Sequence, residues 1–361
     1  MDFIAELQKV KIPSKYGSSQ EFLKDSEEFE AKICQAPTSA NWFKANDPES
    51  LEFANESYPI LHEDVLQLCQ KFLDYKKEHG NSKEKEFYRD LSVLDLIERL
   101  ISKRPLSFVG AYDGYILRDE TCGSSDWHLI GLPEEEVKSV NRRTKNPLPS
   151  LDDYMSYDEI KLAAFLQVSS PVKPINSGSR DNVGRKGHGK EHVEKAVYVG
   201  AVGARFEKPD FMEWQEMIVD KEQNTQGIEN FIVNNSYISF KIEFSIDNGY
   251  GECQRPSLKQ VFADLYNLPF LPTYEQSRGL LEFHSGSYKQ YFNANVYRKR
   301  IQISAETFLI EANHTGQKTG QNVHVFIVGL GLGVWQCTTH QVYILLKFIE
   351  VGEGENLTKL S

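Results

Sequence analysis

The 361-residue chain has no cysteine framework, no long basic run and no long apolar run, and each lack narrows what it does. Its five cysteines, Cys34, Cys69, Cys122, Cys253 and Cys337, stand singly, with no C-x-x-C pair and an odd total. Neither a disulfide scaffold nor a cysteine zinc site is expected. Lys and Arg number 41 against 52 Asp and Glu, a net charge of −11, and no basic block could track a phosphate backbone, so nucleic acid is not an expected partner. No apolar stretch reaches the ~18 residues of a membrane span, and residues 1–15 lack the uninterrupted apolar segment of a secretion signal. No membrane association is expected, and the cytoplasm is the expected location. His188, His192, His324 and His340 have no metal-ligand spacing, no G-x-S-x-G elbow is present, and no internal repeat is visible, so neither a metal site nor a serine hydrolase is expected.

What is present begins with organisation. Residues 1–105 read as a helical, polar region, with apolar residues at helical spacing in Val65, Leu68, Cys69, Phe72 and again in Phe87, Leu91, Leu94, Ile97, Leu100, Ile101. Phe108 to Leu117 reads as a strand followed by a turn at Cys122 to Ser125, and Ser156 to Val168 as a helix. Residues 171–195 are rich in Pro, Gly and basic residues and read as a loop. Beyond it, β-formers collect in Ala196 to Gly203, Tyr237 to Ile246, Arg300 to Ile303, Thr307 to Ile310 and Val323 to Val328, with helices expected at Phe211 to Ile218 and Ser257 to Tyr266. This alternation predicts an α/β sandwich.

The densest signal is Val323 to Trp335, where an apolar run meets Gly329, Gly331 and Gly333 at every second position. Glycine lets backbone N–H groups converge on one anion, and a following helix, expected through Phe348, adds its positive N-terminus. The same glycines also serve a tight strand-to-helix connection with no ligand. A dinucleotide-binding fold opens on such a loop and then needs more strands, whereas only 11 residues follow Glu350 here, which suits the macrodomain layout better.

Four segments together resemble the MavL-like family of arginine-specific macrodomains: Ile175 to Gly184, Tyr198 to Glu207, Ile246 to Gly251 and His324 to Trp335. The resemblance covers roughly residues 105–350. It implies a macrodomain-like three-layer α/β/α sandwich with a mixed central sheet over 106–361, preceded by the helical region of 1–105. It further implies a hydrolase related to poly(ADP-ribose) glycohydrolases, which binds ADP-ribose and removes it from modified arginine of proteins, ubiquitin included. ADP-ribose is then ligand and product, with no separate cofactor. Gly329, Gly331, Leu332, Gly333, Val334 and Trp335 match the position of a diphosphate loop. Asn176, Arg180, Asn182, Asn248, Gly249 and Asn313 are candidate contacts to the remainder of the ligand.

Cleaving an N-glycosidic bond to arginine calls for carboxylates that fix ribose hydroxyls, orient water and hold the guanidinium. Negative charge also stabilises the oxocarbenium character that develops at the anomeric carbon. Asp247, Glu252 and Asp264 are the candidates, with Glu207 as their competitor. Each has a plainer alternative: an Asx-turn at Asp247, surface positions for Glu252 and Asp264, and an ion pair with Arg205 or Lys208 for Glu207. A non-catalytic ADP-ribose reader and a NAD-using enzyme are the rival functions.

Overall fold

A computed structural model describes residues 52–354 apart from 54–55, 106, 118, 120, 125–126, 141–148, 175–194, 226–227, 233–240, 254, 281, 286–289, 326–328 and 334. At 138–140, 228–232, 241–247, 284–285 and 349–354 it describes the backbone alone. The chain is mixed α/β with several small antiparallel sheets, and it divides into two compact units.

The first unit comprises residues up to Ile60 together with Leu166–Ala201. Its described part is a three-stranded antiparallel sheet in which β1 (Tyr58–Ile60) and β6 (Ala196–Gly200) flank β5 (Gln167–Val172). The helix expected through Val168 therefore stops early, because Gln167 to Ser169 is paired strand-to-strand with Tyr58 to Ile60. Two-sided pairing satisfies more backbone groups than an extended helical turn there would.

The second unit, Leu61–Phe165 with Val202–Ser361, begins with three helices. On α1 (Glu63–His79), Val65, Leu68, Cys69, Phe72, Leu73 and Lys76 are buried at the spacing read from the sequence. The second apolar series divides between α2 (Ser82–Tyr88) and α3 (Val93–Ser102). The break falls at Ser92, whose hydroxyl accepts from the Asp95 amide while Asp95 accepts from the Ser92 amide, a capping box that starts a new helix. The expected strand from Phe108 to Leu117 is likewise two strands, β2 (Ser107–Val109) and β3 (Gly114–Ile116), reversed by a short 3-10 turn that ends on Asp113 at φ 50°. Cys122 and Gly123 are not turn residues but a third strand, β4, added to this meander. Phe108 and Tyr115 each place a ring 5.0 Å from the Trp127 ring, which is fully buried.

Next come α4 (Glu134–Val140) and the short α5 (Tyr157–Ala163), capped by Ser156 and Glu159. Then follow α6 (Trp214–Met217), β7 (Ile218–Val219), the hairpin of β8 (Ile228–Ile232) and β9 (Lys241–Asp247), and α7 (Leu258–Leu265) capped by Ser257. After α8 (Tyr274–Ser277), β10 (Phe283–Ser285) and β11 (Tyr291–Asn293) form with β7 a sheet of order β10-β11-β7.

The largest departure from expectation is α9, a 26-residue helix (Ala294–Thr319) where two strands were expected at Arg300 to Ile303 and Thr307 to Ile310. The β-branched content of those segments is real, but Tyr297, Arg300, Ile301, Ser304, Thr307 and Glu311 are buried at intervals of three and four. Thr307 settles its hydroxyl on the Ile303 carbonyl at 2.8 Å, a bond that only helical geometry allows. Asn293 caps the start, and Gly320 at φ 64° ends it. Val323 to Val325 is coil rather than strand, while 326–328 lie outside the described residues. The helix expected after Trp335 is present as α10 (His340–Gly354).

Three side chains of α5 tie it to three other helices. Asp158 accepts from Lys76 of α1 at 2.6 Å, Glu159 takes both forks of Arg99 of α3 at 2.6 and 2.9 Å, and Lys161 donates to Glu216 of α6. Glu159 and Glu216 are fully buried, so each pair replaces solvation that the carboxylate has lost.

Candidate active site

The glycine turn is seated on the segment from Val202 to Arg205, and a buried arginine holds that segment in place. Arg300 of α9 has no exposed surface. Its Nε donates to Glu213 Oε1 at 2.5 Å, its Nη1 to Ser304 Oγ at 2.5 Å, and its Nη2 to the carbonyls of Ala164 at 3.0 Å and Val202 at 2.9 Å. The other Glu213 oxygen accepts from the Arg205 amide at 2.8 Å. A fully desolvated ion pair thus fixes the backbone on both sides of Gly203.

Gly203 faces the turn with no room to spare. A Cβ there would lie 2.5 Å from the Gly331 nitrogen and 2.7 Å from the Leu330 carbonyl carbon, so backbone meets backbone. Gly331 has φ +70°, a conformation that side chains strain, and the Leu332 amide closes the turn on the Gly329 carbonyl at 3.3 Å. Gly333 differs: a Cβ there meets nothing within 4 Å, so packing does not call for glycine at this exposed position. Val334 lies outside the described residues. The helix α10 starts five residues after Trp335, and Gln341 takes the amides just ahead of it, accepting from Cys337 at 2.7 Å and Thr338 at 3.0 Å and donating to the Trp335 carbonyl at 3.2 Å. Gln341, in the first turn of α10, thus ties down the two amides that lead into the helix.

Arg205 links this turn to a neighbouring cleft. Its guanidinium carbon lies 5.6 Å from the Trp335 ring centre and 5.9 Å from that of Phe108. Its Nε donates to Glu207 at 2.8 Å, and the second Glu207 oxygen accepts from the Gly110 amide. On the other side of Gly110, Asp113 is 3% exposed and accepts from Tyr157 Oη and from Lys208 at 2.7 Å, with His128 Nδ1 at 3.8 Å. Burial works to raise the Asp113 carboxyl, yet the nearby His128 ring and the hydrogen bonds from Lys208 and Tyr157 outweigh it and leave the group below its usual 3.8. Burial and Asp113 together push the Tyr157 phenol up.

A depressed carboxyl adds stability that is complete above its unfolded value and vanishes as the pH falls through its folded one. Asp113→Asn is therefore expected to flatten the acid side of the stability profile from about pH 5 downward. Urea unfolding at stepped pH measures this, and parallel wild-type and variant curves would refute it.

The candidate carboxylates occupy other places. Asp247 is the last residue of β9, with its backbone alone described. Asn248 is 3% exposed; its amide nitrogen donates to the Thr225 carbonyl and its Oδ1 accepts from the Tyr250 amide at 3.3 Å. Gly249 and Gly251 turn the chain at φ +79° and +75°. Glu252 is exposed. Asp264 accepts from Lys71 of α1 at 2.8 Å and from Gln260 at 3.1 Å. Asn313 is half-buried on α9, and Asn176, Arg180 and Asn182 lie outside the described residues. Sequence reading missed Arg300, Glu213 and Asp113. A single arginine inside an otherwise apolar, helically spaced stripe was the available signal for the first.

The fold and this turn define a mixed α/β protein with a backbone cradle built from two glycine segments. A family model described as ADP-ribosylhydrolase MavL-like matches residues 20–359, and the chain belongs to that family. Two Drosophila melanogaster proteins, each named ADP-ribosylarginine hydrolase, are similar to it. One is 35% identical over 301 residues, 81% of this chain and 54% of the relative. The other is 29% identical over 316 residues, 84% of this chain and 57% of the relative. The chain thus spans about half the length of these relatives. Among the described residues no helix is long and apolar enough to cross a membrane, and no group of three metal-ligating side chains occurs.

Proposed function

We propose that the protein is an ADP-ribosylarginine hydrolase acting on modified proteins, ubiquitin among them, in the cytoplasm. The observation that carries this reading is the 35% identity to a relative of that name over 81% of the chain. The close backbone packing of Gly203 on the Gly331 turn supports it, because a glycine turn held this tightly is a preformed backbone element of the kind that binds a diphosphate. In this reading residues 106–361 form a macrodomain-like α/β/α sandwich behind a helical region. Gly329 to Trp335 hold the diphosphate, and Asn176, Arg180, Asn182, Asn248, Gly249 and Asn313 contact the rest of ADP-ribose.

The reaction breaks the bond between the anomeric carbon and the guanidino nitrogen. Water supplies the new C–O bond, and its proton ends on the guanidine. Asp247 at the end of β9 is the first choice to orient that water, with Glu252 and Asp264 as the accompanying acids. Charge near the anomeric carbon favours the transition state over the ground state.

Incubation with an arginine-ADP-ribosylated protein is expected to release ADP-ribose and restore the mass of unmodified arginine. Asp247→Ala is expected to lower kcat by about 100-fold or more while ADP-ribose still binds. Binding without turnover in the wild type would instead identify a reader.

A further inference from the structure

A cleft of about 180 Å3 lies beside the glycine turn, floored by Phe108, Met155, Ile160 and Ala163 and flanked by Arg104 and Arg205. The two arginines are not equivalent. Arg205 is paired with Glu207. Arg104 spends its Nε on the Leu100 carbonyl and its Nη2 on the Ala163 carbonyl, each at 3.0 Å, and meets no carboxylate among the described residues. Arg104 is itself exposed, with that edge of its guanidinium turned onto the two carbonyls. Among the described residues, two guanidinium groups on one cleft with a single carboxylate, Glu207, between them leave the cleft positively charged.

The occupant follows from size and lining. Clefts that take whole small-molecule ligands run to roughly 300–1,000 Å3, so this one is too small for a nucleotide. It suits one side chain: methylenes against Phe108 and Ile160, and a carboxylate against the remaining N–H groups of Arg104, with the charge of Arg205 on the same cleft. We propose that this cleft receives an acidic side chain of the protein substrate, close in space to the modified arginine, so that the enzyme favours arginines with a Glu or Asp neighbour. The proposal rests on the hydrolase reading above. Arg205, stacked between Phe108 and Trp335, stands at the join between the acidic-residue cleft and the glycine turn.

The test is a pair of arginine-ADP-ribosylated peptides that differ in Glu against Gln near the modified residue. The wild type is expected to favour the Glu peptide by about tenfold in kcat/KM, Arg104→Gln to bring the ratio near one, and Arg104→Glu to reverse it. A ratio within each variant is insensitive to how much of that variant is folded. A wild-type ratio of one overturns the proposal. So does a loss of affinity for free ADP-ribose in Arg104→Gln, because the cleft would then belong to the nucleotide. If neither peptide nor free ADP-ribosylarginine is hydrolysed, the hydrolase reading fails by itself. The dissociation constants of the two peptides then decide the cleft: equal values overturn it, and tighter binding of the Glu peptide, lost in Arg104→Gln, upholds it.

Discussion

Arg300→Met is expected to cost about 3–5 kcal/mol of folding stability, seen as a lower urea midpoint with an unchanged slope. The size follows from what stays behind. Both Arg300 and Glu213 have side chains with no exposed surface, so deleting the cation strands a carboxylate where water cannot reach it. The carbonyls of Ala164 and Val202 lose their donor in the same step. If the charge left on Glu213 is the dominant cost, adding Glu213→Gln should recover part of the loss. A fully additive double variant would contradict this account. The effect extends to the site, because the Arg205 amide and the Val202 carbonyl are the points at which the pair holds the segment under the glycine turn.

Gly203→Ala is expected to weaken ADP-ribose binding by at least tenfold and to lower stability by about 1–3 kcal/mol. The new methyl carbon would sit 2.5 Å from the Gly331 nitrogen, with no flexible side chain to move aside. The turn must therefore shift, taking with it the amides proposed to hold the diphosphate. Gly333→Ala is the control for packing, since its added carbon meets nothing within 4 Å and should leave stability unchanged. Calorimetric titration with ADP-ribose, beside thermal melts of both variants, separates the outcomes. Undiminished affinity in Gly203→Ala would remove the turn from the binding site.

The sequence was most legible where the signal is local. The apolar spacing of α1, the helix expected at Ser257 to Tyr266 and the glycine turn followed by α10 were all readable, because each depends on residues within a few positions of one another. It misled at α9, where Ile301, Ile303, Thr307 and Ile310 have strand-forming shapes but lie on a helix whose buried face contains an arginine. Composition votes for strand there, and tertiary burial overrides it. The Arg300–Glu213 pair joins residues 87 apart, and no local pattern reports such a partnership. Asp113 was hidden for another reason: Phe108 to Leu117 reads as one continuous strand, and the groups around the carboxylate, Tyr157, Lys208 and His128, come from distant parts of the chain.

The seven residues of α5 are too few to hold a helix in water by themselves. Their charged ties make the segment behave as a keystone: it cannot lift without taking the counter-charges from Arg99 and Glu216 and one of two from Lys76, which Glu84 also pairs. Ile160 and Ala163, which floor the cleft, belong to this segment. Partial openings that would loosen the cleft floor are therefore coupled to rupture of three helix contacts. The floor shares the fate of the whole unit rather than breathing separately, and a groove so anchored selects its guests by fit, not by yielding to them.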